Sequence, residues 1–307
     1  MQLAQVEGFL EVARRGNVSH AATALHITQP ALTVRLQALE EELGQPLFVR
    51  TRRGVRLTDA GNAFRPYAEQ ALGSLSRGVA QVAEIRSGSG GELVIGAAPA
   101  VSTYVLPHIL VRYAQLHPGV RLVVRTGHSE EVADMLMRDE VHVGLGRPVP
   151  DALLISRPIY DDELVLVTPP DHPFAARDAV SRADLGDAPL ILFDRRSSYF
   201  ELTSALVREA GVRPRGVMEL DNVEAAKRMV VAGLGIALLP RTAVAEDLAA
   251  GRLAASRIEG GYAGPRHIVA TRRADAGPPT PTLAAFLALL DEVPQLVPGA
   301  SPPTVPG

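Results

Sequence analysis

The chain has 307 residues, 47% of them hydrophobic, which is enough to bury two or three cores, and it has no apolar run long enough to span a membrane. Its net charge of −3 excludes a protein that is basic throughout, and the lack of cysteine excludes disulfides and thiolate chemistry. Charge is unevenly placed, however. Residues 1–90 hold ten arginines against eight acids, and residues 50–56 (RTRRGVR) hold four arginines and no acid. On composition alone this run is a solvated loop or a phosphate-binding patch; its neighbours decide for the patch.

Residues 3–15 place Leu3, Val6, Phe9, Leu10 and Ala13 at helical spacing, with Gly16 as a stop. The opening MQLAQVEGFLEVARRG has no basic head followed by an apolar core, so no export signal is expected and a cytoplasmic location is. Asn17 or Ser19 can cap a short helix through about Leu25, with Ala21 and Ala22 small enough for a close crossing. A turn at His26, Ile27 and Thr28 leads into residues 28–43 (TQPALTVRLQALEEEL). There Leu32, Leu36, Leu39 and Leu43 form one helical stripe between a Thr28 cap and a Gly44 stop, and Pro30 falls in the first turn. Pro30, Val34 and Gln37 lie opposite, flanked by Gln29, Thr33 and Arg35, a face that calls for a polar partner. Two short helices, a tight turn and a longer helix predict a helix-turn-helix.

The stretches PLFVR (46–50) and VRLT (55–58) predict a small hairpin, a wing with arginines at its tip. Thr58 then caps a long helix from Asp59 to about Arg86, striped by Phe64, Ala68, Ala71, Leu75, Val79 and Val82. The stripe either packs on the larger domain or pairs with a second copy; pairing is the preferred reading. Pro66 is expected to kink this helix or loosen one turn. SGSGG (87–91) reads as a hinge and domain boundary.

From Glu92 strands and helices alternate, over residues 92–145 and again over 164–239, followed by a strand at 268–271 and a closing helix at 282–292. The βαβαβ order predicts parallel sheets with covering helices, and two such halves predict a bilobed domain with a ligand cleft at the carboxyl ends of its strands. The Pro- and Gly-rich tail after Pro294 is expected to be disordered. Enzymatic readings find little support. Gly233-Leu-Gly235 lacks the third glycine of a dinucleotide fingerprint and leads into a strand, the eight histidines show no paired metal spacing, and no serine sits in a nucleophile elbow. No cofactor and no metal site are expected.

The N-terminal stretch resembles the LysR-type transcriptional regulators. Phe9, Val12, Ala13, Gly16, Ser19, Ala21, Ala22, Leu25, Gln29, Pro30, Ala31, Leu39, Glu40, Leu43, Gly44, Leu47, Phe48, Arg50, Leu57, Thr58 and Gly61 stand where that family's pattern places them. GELVIG, LP at Leu106 and Pro107, HPGV, PIYDDELVLV, DHPFA and AGLGIALLP resemble its effector domain, so the likeness covers nearly all of the chain short of its tail.

The resemblance implies an α/β chain with a winged helix-turn-helix (1–58), a dimerising linker helix (59–87), and a periplasmic-binding-protein-like effector domain. One lobe of that domain takes residues 88–161 with 266–295 and the other 162–265, leaving a tail at 296–307. It further implies a dimer or tetramer on double-stranded promoter DNA, with RNA polymerase as a further partner and a small-molecule effector in the cleft. By position, Thr28, Gln29, Pro30, Thr33 and Arg35 would face DNA, with Arg50, Arg52 and Arg53 in the wing. Gln29 can offer a donor–acceptor pair to adenine, while Arg35 serves guanine or, on its flank position, a phosphate. Val34 stands where the family often has a polar or basic side chain.

By the same resemblance the effector site gathers Ala100, Val101, Ser102, Thr103, His128, Arg147, Arg196, Ser197, Asn222 and Val223. Ala100 lacks the hydroxyl common at its position, although Ser102 and Thr103 follow. His128 replaces another hydroxyl residue, and His142, where Asp is usual, reads as structural. Arg147 with Arg195 or Arg196 could clamp a carboxylate, so an organic acid is the expected effector.

Overall fold

The computed structural model describes residues 1–51, 54–87, 91–193, 195, 197, 199–212, 216–260 and 266–304. The chain forms two compact units that part at Gly88/Ser89. The first contains α1 (Leu3–Arg15), α2 (Val18–Ala24), α3 (Gln29–Leu43), β1 (Phe48–Thr51), β2 (Gly54–Leu57) and α4 (Asp59–Ser87). Local chemistry sets its boundaries. Gly16 ends α1 in the left-handed region, Asn17 accepts from the His20 N–H, and Thr28 accepts from the Ala31 N–H. Val6, Phe9, Val12, Ala21, Ala22, Leu32, Leu36, Leu39 and Leu47 close the core, with the Phe9 ring 5.4 Å from Phe48 and 5.2 Å from Phe64. Leu43, expected on the buried stripe, is exposed because the helix has run past the core by its last turn. Pro66 lies inside α4, which runs through it as one helix.

The second unit begins with β3 (Glu92–Ala97), α5 (Pro99–Tyr104), α6 (Leu106–Leu116), β4 (Arg121–Thr126), α7 (Ser129–Met137), β5 (Val143–Gly146) and β6 (Leu154–Asp162). It continues with β7 (Leu164–Thr168), β8 (Ala179–Val180), β9 (Leu190–Phe193), α8 (Phe200–Ala210), β10 (Val217–Leu220), α9 (Val223–Val231), β11 (Ile236–Pro240), α10 (Arg241–Ala249) and β12 (Ala254–Ile258). The return passes through β13 (Arg266–Arg273), α11 (Pro281–Leu289), α12 (Val293–Leu296) and β14 (Ala300–Ser301). Two six-stranded sheets result, ordered β14-β6-β13-β5-β3-β4 and β10-β9-β11-β7-β12-β8. Each backs a separate core, one around Ile95, Tyr113, Tyr160 and Phe286, the other around Val167, Phe193, Val230 and Leu239.

The sheets are mixed rather than parallel. β13 runs antiparallel to both β5 and β6, and β7 antiparallel to both β11 and β12. The long β6 carries Pro158 and three charged residues, which hides a strand from periodicity; its pairing with β13 is what forms it. β6 and β13 are the crossovers through which the chain passes between the two lobes.

The tail corrects a second expectation. The Pro and Gly content of residues 296–307 predicts disorder, yet Ala300 and Ser301 pair with Asp162 and Asp161 as an edge strand, anchored by buried Val293 and Val297. The Thr304 N–H donates to Asp161 Oδ2 at 2.8 Å. Proline removes donors, but a short edge strand needs few. Residues 305–307 lie outside the described residues.

Candidate DNA interface and effector cleft

In the first unit the core pins α3 by Leu32, Leu36 and Leu39, leaving Thr28, Gln29 and Pro30 exposed at its start and Val34 63% exposed one turn on. Thr33 and Arg35 are half-exposed on the flanks. Gln29 Oε1 accepts from the Ser19 hydroxyl at 3.0 Å, which orients the amide, and the Thr33 hydroxyl donates to the Gln29 carbonyl at 3.0 Å. Arg50 is exposed and pairs across the hairpin with Val55, while Arg56 pairs with Val49. The two arginines therefore stand on opposite faces of the hairpin, Arg50 on the face shared with Phe48, Val55 and Leu57. Arg52 and Arg53, also assigned to the wing, lie outside the described residues.

Two contacts that sequence reasoning missed hold the wing against the helices. Glu40 on α3 accepts from the Leu47 N–H at 2.7 Å and the Phe48 N–H at 3.2 Å. Gly54, at φ +128°, brings the Val55 N–H onto the Gly16 carbonyl at 2.9 Å, and a Cβ on Gly54 would stand 2.2 Å from that oxygen. Glu40→Ala removes charge-assisted acceptors for two part-buried amides. It is expected to cost about 1–3 kcal/mol in denaturant unfolding, with Glu40→Gln costing less because one oxygen remains.

In the second unit a cleft of about 600 Å³, its open mouth included, lies between the lobes. The start of α5 supplies Ala100, Val101 and Thr103, and the turn before α7 supplies His128. The opposite lobe supplies Ser197, Asn222 and Val223, so these expected site residues do converge. Asn222 caps α9 through the Ala225 N–H at 3.1 Å. Ser102 does not line the cleft; its hydroxyl shares a 3.1 Å hydrogen bond with Thr126. His142 is structural, its Nδ1 accepting from the Val94 N–H at 3.1 Å.

The arginine clamp is not where it was expected. Arg147 lies outside the cleft lining, and its guanidinium reaches Glu130 at 3.3 Å. Arg195 is exposed, 6.0 Å from the Phe200 ring centre. Arg196 is outside the described residues. Among the described residues the cation that lines the cleft is Arg266, only 8% exposed and stacked 4.0 Å above the Tyr199 ring. Its cross-strand neighbour is Asp162, which accepts from the Thr242 hydroxyl at 3.0 Å and the Thr242 N–H at 3.4 Å.

Burial pushes the Asp162 carboxyl up to about 6, with Arg266 and Thr242 offsetting only part of that. Burial also works against the charge of Arg266, but Tyr199 and Asp162 outweigh it and raise its pKa. The Tyr199 hydroxyl is pushed up to about 12, again by burial. A second polar group bridges the lobes. The Tyr104 hydroxyl donates to Glu224 at 2.8 Å, and Lys227 sits 3.0 Å from the same carboxylate. Burial opposes ionisation of Glu224, but hydrogen bonds from Arg228, Lys227 and Tyr104 together hold it at about 2. Arg266, Asp162, Tyr199 and the Tyr104–Glu224 pair carried no local signal. Each is brought into the cleft by the crossover strands or by lobe closure, not by a motif.

An N-terminal winged helix-turn-helix and a bilobed α/β unit with an interlobe cleft together define a ligand-responsive DNA-binding regulator. Residues 3–62 match the model of the bacterial regulatory helix-turn-helix protein, lysR family, and residues 86–295 match the LysR substrate binding domain. The chain belongs to the LysR family of DNA-binding transcriptional regulators. It is 33% identical over 291 residues to the HTH-type transcriptional regulator GltR of Bacillus subtilis, spanning 94% of each chain. It is 30% identical to a probable RuBisCO transcriptional regulator of Cyanidioschyzon merolae over 80% of this chain and 84% of that one. Among solved structures, full-length CbnR complexed with its target DNA shares 26% identity at a TM-score of 0.64, covering 95% of this chain and 100% of that one. A cysteine-to-aspartate variant of full-length OxyR from Pseudomonas aeruginosa shares the fold at a TM-score of 0.71 and 23% identity, covering 99% of each chain. Among the described residues no helix is long and apolar enough to cross a membrane.

Proposed function

We propose that this regulator binds promoter DNA as a dimer or tetramer and that an organic acid in the interlobe cleft modulates those contacts. The observation that carries the effector class is Arg266, a buried guanidinium at the cleft surface, stacked on Tyr199 and opposite Asp162 rather than displayed to solvent. Glu224 is already neutralised by Lys227 and Arg228, and Asp221 stands at the exposed rim, so neither bars an anion from the floor. A carboxylate on Arg266 would sit beside the hydroxyl of Thr103 and at the start of α9. Calorimetric titration with a panel of carboxylates and their amides tests this; binding of neutral amides alone would overturn it.

On the DNA side the exposed start of α3 reads bases, with Gln29 held ready by Ser19, while Arg50 and the wing neutralise phosphate. RNA polymerase at the promoter and a cytoplasmic location complete the reading. Gln29→Ala should change which operator variant is preferred in a competition gel shift. Arg50→Ala should weaken binding across all sequences and reduce the salt slope by about one. Equal losses on every operator variant for Gln29→Ala would remove it from base readout.

The oligomer reading rests on α4. Phe64 and Ala68 pack on the module core, but Leu75, Val79 and Val82 continue the stripe and are 53%, 71% and 66% exposed in the single chain. A second copy of this helix supplies the apolar surface that they lack.

A further inference from the structure

We infer that Asp162 governs access of the anion to Arg266, so that a carboxylate effector binds together with a proton taken up by Asp162. The inference rests on the reading of the cleft as an organic-acid site. Asp162 and Arg266 face each other across β6 and β13, both buried and both lining the cleft. Their side chains lie on the same face of the sheet, while Asp161 and His267, the next pair, lie on the opposite face, where Thr304 bonds to Asp161.

The buried guanidinium thus stands opposite a resident carboxyl whose charge it favours before any effector arrives. A second carboxylate brought to it would leave two anions on one cation in a desolvated space, where like charges are costly. Protonating Asp162 restores neutrality. The proton comes from solvent, Asp162 keeps its Thr242 contact as the neutral acid, and the new O–H can donate to the incoming carboxylate.

The titratable and polar groups that face Asp162 come from both lobes. On its own strand, Tyr160 is buried and raised well above the ordinary phenol range by burial, and Glu163 is paired with Arg241 at 2.8 Å. From the other lobe, Tyr199 stays neutral, Thr242 offers no charge, and Glu224 is held ionised by Lys227, Arg228 and Tyr104. His128 lines the cleft from the start of α7, and its backbone N–H caps that helix through Glu131 at 2.7 Å. With Asp162 poised at about 6, its competent neutral form is mostly present at pH 5.5 and scarce at pH 7.5.

The test uses the full-length protein and formate, which remains anionic at both pH values and is small enough to reach the guanidinium, with chloride matching ionic strength. Thermal-shift titration should give a formate dissociation constant about 20-fold weaker at pH 7.5 than at pH 5.5. Calorimetry at pH 7.5 in buffers of different ionisation enthalpy should show uptake of about one proton per formate. Asp162→Asn should bind formate equally at both pH values within about twofold and take up no proton. Because Arg266→Met leaves Asp162 buried without its cation, the Asp162→Asn/Arg266→Met double variant serves as the negative control.

If wild type and Asp162→Asn show the same pH dependence, or if no proton is taken up, the coupling is wrong while the cleft remains an anion site. If formate stabilises the double variant as well as the others, the anion does not bind at Arg266. The organic-acid reading then fails first.

Discussion

Introducing glutamate at both Leu75 and Val79 is expected to leave the winged helix-turn-helix folded and to lower operator affinity by about 10²–10⁴-fold. The two side chains lie on the part of α4 that extends past the module core, and both are more than half exposed in the single chain, so the substitution removes little internal packing. What it removes is a shared apolar seam, where four added carboxylates per helix pair would repel one another. Losing the pairing converts a two-headed DNA contact into two independent ones. Sedimentation velocity should report a smaller species with an unchanged circular dichroism spectrum, and a gel shift should report the affinity. A variant that keeps both oligomeric state and affinity would show that the stripe is covered by something other than a second α4.

The second large effect is expected at Arg266. Arg266→Met keeps much of the side-chain length over the Tyr199 ring but removes the cation opposite Asp162 across the two strands, and leaving that buried carboxyl without a neighbouring positive charge is expected to cost about 1–3 kcal/mol. The chain should melt earlier at neutral pH, and less so at acid pH, where Asp162 is already neutral. The sign follows from the carboxyl itself. Its folded pKa lies above the ordinary Asp value even with Arg266 in place, so the native state binds the extra proton. Stability from this group is greatest below the unfolded pKa and is lost as pH rises through the folded one, and removing Arg266 shifts that loss to higher pH. Response to any carboxylate effector should disappear, while operator binding without effector persists. Melting curves across pH and footprints with added carboxylates measure the two consequences separately.

The DNA-binding half was legible because its determinants are local. The spacing of Leu32, Leu36 and Leu39, the Thr28 cap and the stop at Gly44 all act within one helix, and the structure buries the first three as their period requires. Leu43 departs from the stripe only because the core ends before the helix does. The wing's shape was readable from two short apolar runs, but its fastening was not. Glu40 reaches Leu47 and Phe48 across seven and eight residues, and Gly54 meets Gly16 across 38, distances at which composition carries no signal.

The cleft divided in the same way. Ala100, Val101, Thr103, His128, Asn222 and Val223 sit where strands meet helices, places that the alternation of elements marks. Arg266 sits on a strand that returns more than a hundred residues after its partner β6, so its burial depends on a crossover that no local pattern reveals. Arg195, in a loop beside two serines, offered the better local pattern and turned outward. The tail misled for a related reason. Its prolines argue against regular structure, yet two residues of edge strand and one threonine on Asp161 suffice to hold it.

On the proposed reading, occupancy of the cleft at Arg266 controls how this chain holds its promoter. The most direct measurement is a footprint of the full-length protein on its own upstream DNA, titrated with the carboxylate that most raises its melting temperature and repeated with Arg266→Met. The expected result is a salt-sensitive, sequence-specific footprint whose extent changes at the concentration that fills the cleft, and an Arg266→Met footprint that stays fixed throughout. A wild-type footprint that ignores the saturating carboxylate, or an Arg266→Met footprint that responds as wild type does, would contradict it.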